Sequence, residues 1–266
     1  MNLLNQAYLQ KTLPYGEVVV FDEINSTNEY LLNHCNELRC GSVCLAETQT
    51  AGRGRRGRQW YSPVGQNLYF SMLWKYSLPQ NEQLSSLSLV VALVIAETFN
   101  ELGVADIQIK WPNDIYYQGK KVGGILIESK VDRSGIAIVI GIGLNLAMNA
   151  IDPAIVNQPW ADLAKYHFDR NELAAMLAKR LQQMLNEFPQ VPLGNYLTRW
   201  RQFDCFYQQP VKLVTAVAEI HGIAQGINAN GELLLESEGK VQAFAIGEIS
   251  LRSVDILPRL KSGDSY

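Results

Sequence analysis

Cysteine is scarce in this chain: four in 266 residues, Cys35, Cys40, Cys44 and Cys205. The first three follow a C-x4-C-x3-C spacing that matches no common zinc pattern. His34 stands beside Cys35, but reduced thiols in and around a core are the expectation. Long apolar runs are missing too. The longest, Leu87 to Ala96, is too short to span a bilayer, and Glu97 follows it. No N-terminal stretch joins a charged start to an apolar segment, so no secretory signal is read. Disulfides are therefore not expected, and a cytoplasmic protein without a membrane partner is. There is no surplus of basic residues: 23 Lys and Arg face 26 Asp and Glu, a net charge of -3. The resulting pI near 5.7 opposes a general nucleic-acid binder. Repeats and low-complexity segments are absent. What remains, 47% hydrophobic and 18% charged, is ordinary for a globular protein with a sizeable core.

Against that acidic balance one segment stands apart. Four arginines and three glycines fill the seven residues from Gly52 to Arg58, within Gln49-Thr-Ala-Gly-Arg-Gly-Arg-Arg-Gly-Arg58. Glycine lets a backbone approach a ligand closely, and arginine offers a planar, always-charged fork for phosphate or carboxylate. Such a loop is suited to closing over a small anion. Gly52-x-Gly54-x-x-Gly57 also matches a dinucleotide-binding fingerprint, which requires a strand before it and a helix after it. Pro63 and Gly65 follow too soon, and Arg58 to Pro63 has no helical period, so that reading is set aside. A solvated basic loop, or a patch for non-specific nucleic-acid binding, is the plainer alternative.

Hydrophobic periodicity supplies a coarse element order. Val18 to Phe21 reads as a strand, and Ser26 caps a helix to about Cys35, with Glu29 completing a capping box. Strands are expected at Gly41–Glu47 and Asn67–Trp74, and a buried helix at Ser85–Leu102 ended by Gly103. Ile107–Lys110 alternates as a half-buried strand, and Ile115–Glu128 reads as a hairpin turning at Gln118-Gly119. A further strand, Ile136–Leu146, follows a turn at Asp132-Arg-Ser-Gly135. Helices are expected at Asn171–Phe188, capped by Asp169, and at Asn195–Phe203. Beyond Cys205 the texture changes to short strands and turns with no helical period, as in a small β-barrel. The expected division is therefore residues 1–207 and 208–266.

Three more constellations carry polar chemistry. In Lys110-Trp-Pro-Asn-Asp114 the proline interrupts a strand and presents Asn113 and Asp114 from a turn, although a plain Pro-Asn-Asp turn has the same pattern. Lys121 precedes Val-Gly-Gly, as a cation beside a ligand that nears the backbone would; a hairpin lysine at a sheet edge is the alternative. Gly141-Ile-Gly-Leu-Asn145 puts glycines inside a buried strand, where they often mark a close approach.

Together with Ser26-Thr-Asn28, Lys121-Val-Gly-Gly-Ile-Leu126 and Gly247-Glu-Ile-Ser-Leu-Arg252, these motifs resemble bacterial biotin protein ligases in order and spacing, over residues 15 to 253. The resemblance implies a mixed, mainly antiparallel sheet with helices on one face, as in class II synthetases, followed by an SH3-like barrel. It implies ATP and biotin as substrates, with magnesium expected from the nucleotide. Biotin would be activated to biotinyl-5'-adenylate and passed to a lysine of a biotin carboxyl carrier protein, such as that of acetyl-CoA carboxylase.

By motif match, Ser26, Thr27, Asn28, Gln49, Arg53, Gly54, Arg55 and Lys121 would line the biotin site. Arg56, Trp60, Lys110, Asn113, Asn145, Trp160 and Arg252 would border the nucleotide. Lys121, Asp114 and Arg55 would carry the chemistry: Lys121 stabilising developing charge, Asp114 orienting the incoming lysine or a magnesium ion. No metal ligands are assigned. Many bacterial members carry an N-terminal helix-turn-helix. Only about two dozen residues precede Ser26, so operator binding is not expected of the chain as given. Family members often pair through their central sheets, so a homodimer is an expectation. A lipoate-protein ligase shares the adenylate chemistry and is the nearest competing reading. A non-catalytic biotin-sensing interaction protein is another.

Overall fold

The computed structural model describes residues 2–65, 67–77, 84–133, 135–148, 159–215, 218–246 and 250–253. Ser134 of the expected turn and Gly247 to Ile249 of the last motif lie outside the described residues. The chain divides into two compact units, Met1–Cys205 and Phe206–Tyr266.

The first unit is built on a seven-stranded sheet. Its strands are β1 (Val18–Ile24), β2 (Val43–Gln49), β3 (Leu68–Tyr76), β4 (Ile107–Lys110), β5 (Asp114–Tyr117), β6 (Lys120–Asp132) and β7 (Gly135–Leu144), in the spatial order β1-β2-β3-β7-β6-β5-β4. Only β1 and β2 run parallel, and every other neighbouring pair is antiparallel. The β5–β6 turn puts Gln118 and Gly119 at φ +48° and +73°, the doubly left-handed geometry that two-residue hairpins favour. A bulge follows at once: Tyr116 faces Lys121 while Ile115 faces Gly123, leaving Val122 as the extra residue.

Helices cover both faces, where one face was expected. α2 (Thr27–Asn33) lies over the face carrying Ser71 and Leu73 of β3. Leu31 and Cys35 form a buried cluster there with Cys44, Leu73 and Val139. Tyr76 is five residues from Ser71 and points to the other face, where its hydroxyl donates to Leu185 O of α4 (Arg170–Glu187). The period of two puts odd and even positions of β3 on opposite sides, and both are apolar, so a single layer of helices could not bury them. α3 (Leu87–Glu101) is apolar around most of its circumference because it is enclosed, with ten of its residues buried.

Ser26 accepts from Glu29 N at the start of α2, and Asp169 accepts from Asn171 N and Glu172 N at the start of α4. The helix α1 (Gln6–Thr12) has no counterpart among the expected elements. Only Leu9 of it is buried, so it carries no apolar period. α5 (Leu197–Phe203) follows a 3-10 turn at Leu193–Tyr196.

The second unit is an antiparallel five-stranded sheet of β8 (Pro210–Val214), β9 (Glu219–Ile227), β10 (Leu233–Ser237), β11 (Lys240–Phe244) and β12 (Ser250–Ser253), ordered β11-β10-β9-β8-β12. All four cysteines are free, and burial pushes the Cys44 and Cys205 thiols up. Among the described residues no group of three or more His, Cys, Asp or Glu is placed to hold a metal.

Candidate active site

Strand register builds a trough on the α2 face of the sheet. Tyr69 of β3 stands opposite Gly143 of β7, Gly143 opposite Gly124 of β6, and Gly124 opposite Asp114 of β5. One step along, Ser71 faces Gly141 and Gly141 faces Leu126. Partners in register share a face, so the glycines leave a side-chain-free floor between Tyr69 and Asp114. Two of these spaces are used by other parts of the chain. A Cβ on Gly143 would lie 2.5 Å from the Trp60 ring, and one on Gly141 would lie 2.3 Å from Asn28 Oδ1.

The cavity above this floor holds about 490 Å³ of empty space continuous with solvent. Ser26, Thr27, Asn28 and Ser71 line one side, and Arg53, Gly54, Arg55, Trp60, Asn113 and Lys121 also line it. The polar wall is internally connected. Thr27 donates from its backbone N–H to Gln49 Oε1 at 2.9 Å, and Gln49 Nε2 donates to Ser62 Oγ at 3.2 Å. Ser71 Oγ lies 2.7 Å from Thr27 Oγ1 and 2.6 Å from Asn28 Oδ1. Asn28 Nδ2 donates to Leu126 O and to Glu128 Oε2, so both of its amide hydrogens are engaged within the protein.

Three cations border the cavity. Lys121 Nζ lies 2.7 Å from Asp114 Oδ1 and 5.4 Å from the centroid of the Trp60 ring. Asp114, expected to be presented from a turn, is only 21% exposed and ion-paired. Arg55 donates to Asn113 Oδ1 at 2.9 Å, and Asn113 in turn exchanges backbone and side-chain hydrogen bonds with Ile125. Burial pulls the Arg55 pKa below its ordinary value, with repulsion from Arg56 adding to the effect and Asp114 opposing it. An anion entering here would relieve that penalty. Arg53 pairs with Glu128 at 3.3 Å.

Other expected residues lie elsewhere. Arg56 is exposed in the loop at φ +57°. Lys110 Nζ donates to the Tyr116 hydroxyl at 2.9 Å and does not line the cavity. Asn145 is buried and donates to Ala161 O, while Trp160 forms an isolated parallel bridge with Lys121. Arg252 belongs to the second unit, opposite Lys212. Ser71 and Glu128 were not singled out from the sequence. For Ser71 the available signal was a lone serine in the apolar run Leu68–Trp74. Glu128 has the pattern of an ordinary polar residue at the end of a hairpin strand and carries no such signal.

The wall implies a sharp steric test. In Gly141→Ala the new Cβ displaces Asn28 and disturbs its contacts with Ser71 and Glu128. For biotin, the ligand that the motif resemblance implies, affinity is expected to fall about tenfold, corresponding to one or two hydrogen bonds at about 1 kcal/mol each. Isothermal titration against the parent protein checks this; an unchanged Kd would mean that the wall does not contact the ligand.

An antiparallel-dominated sheet, a glycine-floored cavity and convergent cations define a class. Residues 20–145 match the biotin/lipoate A/B protein ligase family, and residues 208–252 match the biotin protein ligase C-terminal domain. The chain belongs to the biotin protein ligase family. It is 46% identical to the bifunctional ligase/repressor BirA of Escherichia coli K12 over 259 residues, covering 96% of this chain and 80% of the relative. It is 33% identical to the biotin–acetyl-CoA-carboxylase ligase of Paracoccus denitrificans, covering 85% of this chain and 96% of that one. The biotin protein ligase of Aquifex aeolicus, solved with biotin and ATP, superposes with a TM-score of 0.77 at 30% identity, covering 89% of this chain and 99% of that one.

Proposed function

We propose that this protein activates biotin with ATP and transfers it to a lysine of a carboxyl carrier domain, such as that of acetyl-CoA carboxylase. The observation that carries this reading is the convergence of Arg53, Arg55 and Lys121 on one cavity with a neutral polar wall and a glycine floor. Biotin's carboxylate and the triphosphate repel each other, and cations in a partly dry site offset that repulsion. A carboxylate oxygen attacks the α-phosphorus, pyrophosphate leaves, and biotinyl-5'-adenylate remains. The neutral amine of the acceptor lysine then attacks the acyl carbon, AMP departs, and an amide is formed.

Lys121 faces the reacting oxygens and stabilises the charge that develops on them. Asp114, 2.7 Å from Lys121, holds that ammonium in place and orients the acceptor lysine, which enters as an ammonium and gives up a proton to solvent before it attacks as the neutral amine. The arginine loop closes over the adenylate and keeps water from it. Arg56, Lys110, Asn145, Trp160 and Arg252 are carried to the nucleotide by motif match alone. Magnesium would enter with ATP and offset charge on the phosphates. The second unit is read as SH3-like and the protein as cytoplasmic.

The test is pyrophosphate release from ATP with biotin, with lipoate and with neither, followed by addition of a carboxyl carrier domain. Release with biotin and a mass gain of one biotinyl group on the acceptor are expected. Release with lipoate alone would assign the site to the other branch of the family. Release with neither would leave a binding protein.

A further inference from the structure

Glu128 is a carboxylate placed behind the wall of a cavity bordered by Arg53, Arg55 and Lys121, the last already paired with Asp114. Its two oxygens face different parts of the site. Oε2 accepts from Asn28 Nδ2 at 2.8 Å, on the α2 side, and Oε1 meets Arg53 Nη1 at 3.3 Å, on the arginine loop. Register accounts for its position: on β6 it faces Val139, two residues beyond Leu126, on the same face as Gly124. It therefore ends a polar chain that starts at the far stem of the loop, at Ser62, and runs through Gln49, Thr27, Ser71 and Asn28.

A negative charge beside an anion site opposes the ligand unless a counter-ion holds it. Here that counter-ion, Arg53, also lines the cavity. Arg53 is 39% exposed at its side chain and Glu128 25%, so the pair is reached by water and weak enough to be exchanged. Asn28 has no such freedom, with both amide hydrogens engaged.

We propose that Glu128 is the resting counter-ion of Arg53, which Arg53 exchanges for the carboxylate of the incoming acid, so that Glu128 sets how strongly the site prefers an acid over its neutral amide. This rests on the reading of the cavity as a biotin site. Without ligand, Glu128 holds Arg53 against β6. With the acid bound, Arg53 turns to the ligand, and Asn28 retains the Glu128 carboxylate.

Biotin and biotinamide, titrated calorimetrically against the full chain and against Glu128→Gln, separate the possibilities. Glutamine keeps an oxygen for Asn28 and removes the charge. Biotin is expected to bind the variant about two- to fivefold more tightly, the range set by a partly exposed ion pair, with biotinamide unchanged. In the Arg53→Gln background the effect of Glu128→Gln should vanish. Equal weakening of both ligands would make Glu128 a structural part of the wall, and no change in either would make the ion pair incidental; each overturns the proposal. Should Glu128→Gln fail to fold, Arg53→Gln alone decides: a preference for biotin over biotinamide undiminished from the parent excludes the exchange. Failure of the parent protein to bind either ligand would overturn the biotin reading itself, a distinct result.

Discussion

Replacing Lys121 with alanine is expected to slow adenylate formation by about a hundredfold to a thousandfold, the range for removal of one preorganised charge-stabilising group. The geometry supports an effect on the transition state. Lys121 is 15% exposed, is the second residue of β6 beside the bulge at Val122, and is held between Asp114 and the face of Trp60. Its ammonium is thus fixed before substrate arrives, and little reorganisation is needed when charge develops. Biotin binding should change far less than turnover. Single-turnover pyrophosphate release with saturating biotin and ATP reads the chemical step, and equilibrium titration reads binding. Lys121→Arg is the control: it keeps the charge but cannot reproduce a compact ammonium between Asp114 and the ring. If the whole loss in Lys121→Ala appears as weaker biotin binding, the lysine is a substrate anchor and not a catalytic group.

The second large effect is on stability. Arg170→Met is expected to destabilise the protein by about 3–5 kcal/mol, because it leaves one half of a buried ion pair without its counter-ion. Arg170 and Glu47 are 1% and 5% exposed at their side chains and lie 2.8 Å apart. Arg170 also donates to Asn2 O and Asn67 O, and Glu47 accepts from Leu4 N at 2.7 Å. The pair thus joins the start of the chain, the end of β2, and Asn67 just before β3. Glu47 is two residues before Gln49, which holds Thr27, so the pair also fixes the base of the arginine loop. Urea unfolding of Arg170→Met, Glu47→Gln and the double variant gives the coupling. The double variant should cost less than the sum of the singles, because no unpaired charge remains. Additive losses would mean that each residue acts through its own backbone contacts.

Much of the first unit was legible along the chain. Ser26 capping α2, Asp169 capping α4, the Gln118-Gly119 turn and the alternation of Ile107–Lys110 are local: the residues that decide them lie within a few positions of one another. The same holds for the arginine loop, which its composition alone set apart as a candidate anion site. The missed helix α1 shows the limit, since its two glutamines act at a distance. Gln10 and Gln6 accept from Val18 N and Val20 N on the edge strand β1. A helix held by that role needs no apolar period.

The trough, the wall and the buried charges were decided elsewhere. Sequence marked Gly124, Gly141 and Gly143 as places of close approach. That they align across strands into one floor depends on register, which a single-residue slip would reverse. Glu128 carried no mark and Ser71 only that of a lone serine in an apolar strand; both were drawn to the site when α2 settled on their face. Arg170 and Glu47 stand 123 positions apart, and the low-dielectric contact that makes each tolerable inside the core exists only after the sheet and α4 have met. Sequence by itself determined the family, the charged loop and the local elements, because those depend on neighbouring residues. Tertiary structure alone decided which face of each strand became the site and which charges were paired within it, because register and burial act between residues that are not neighbours in the chain.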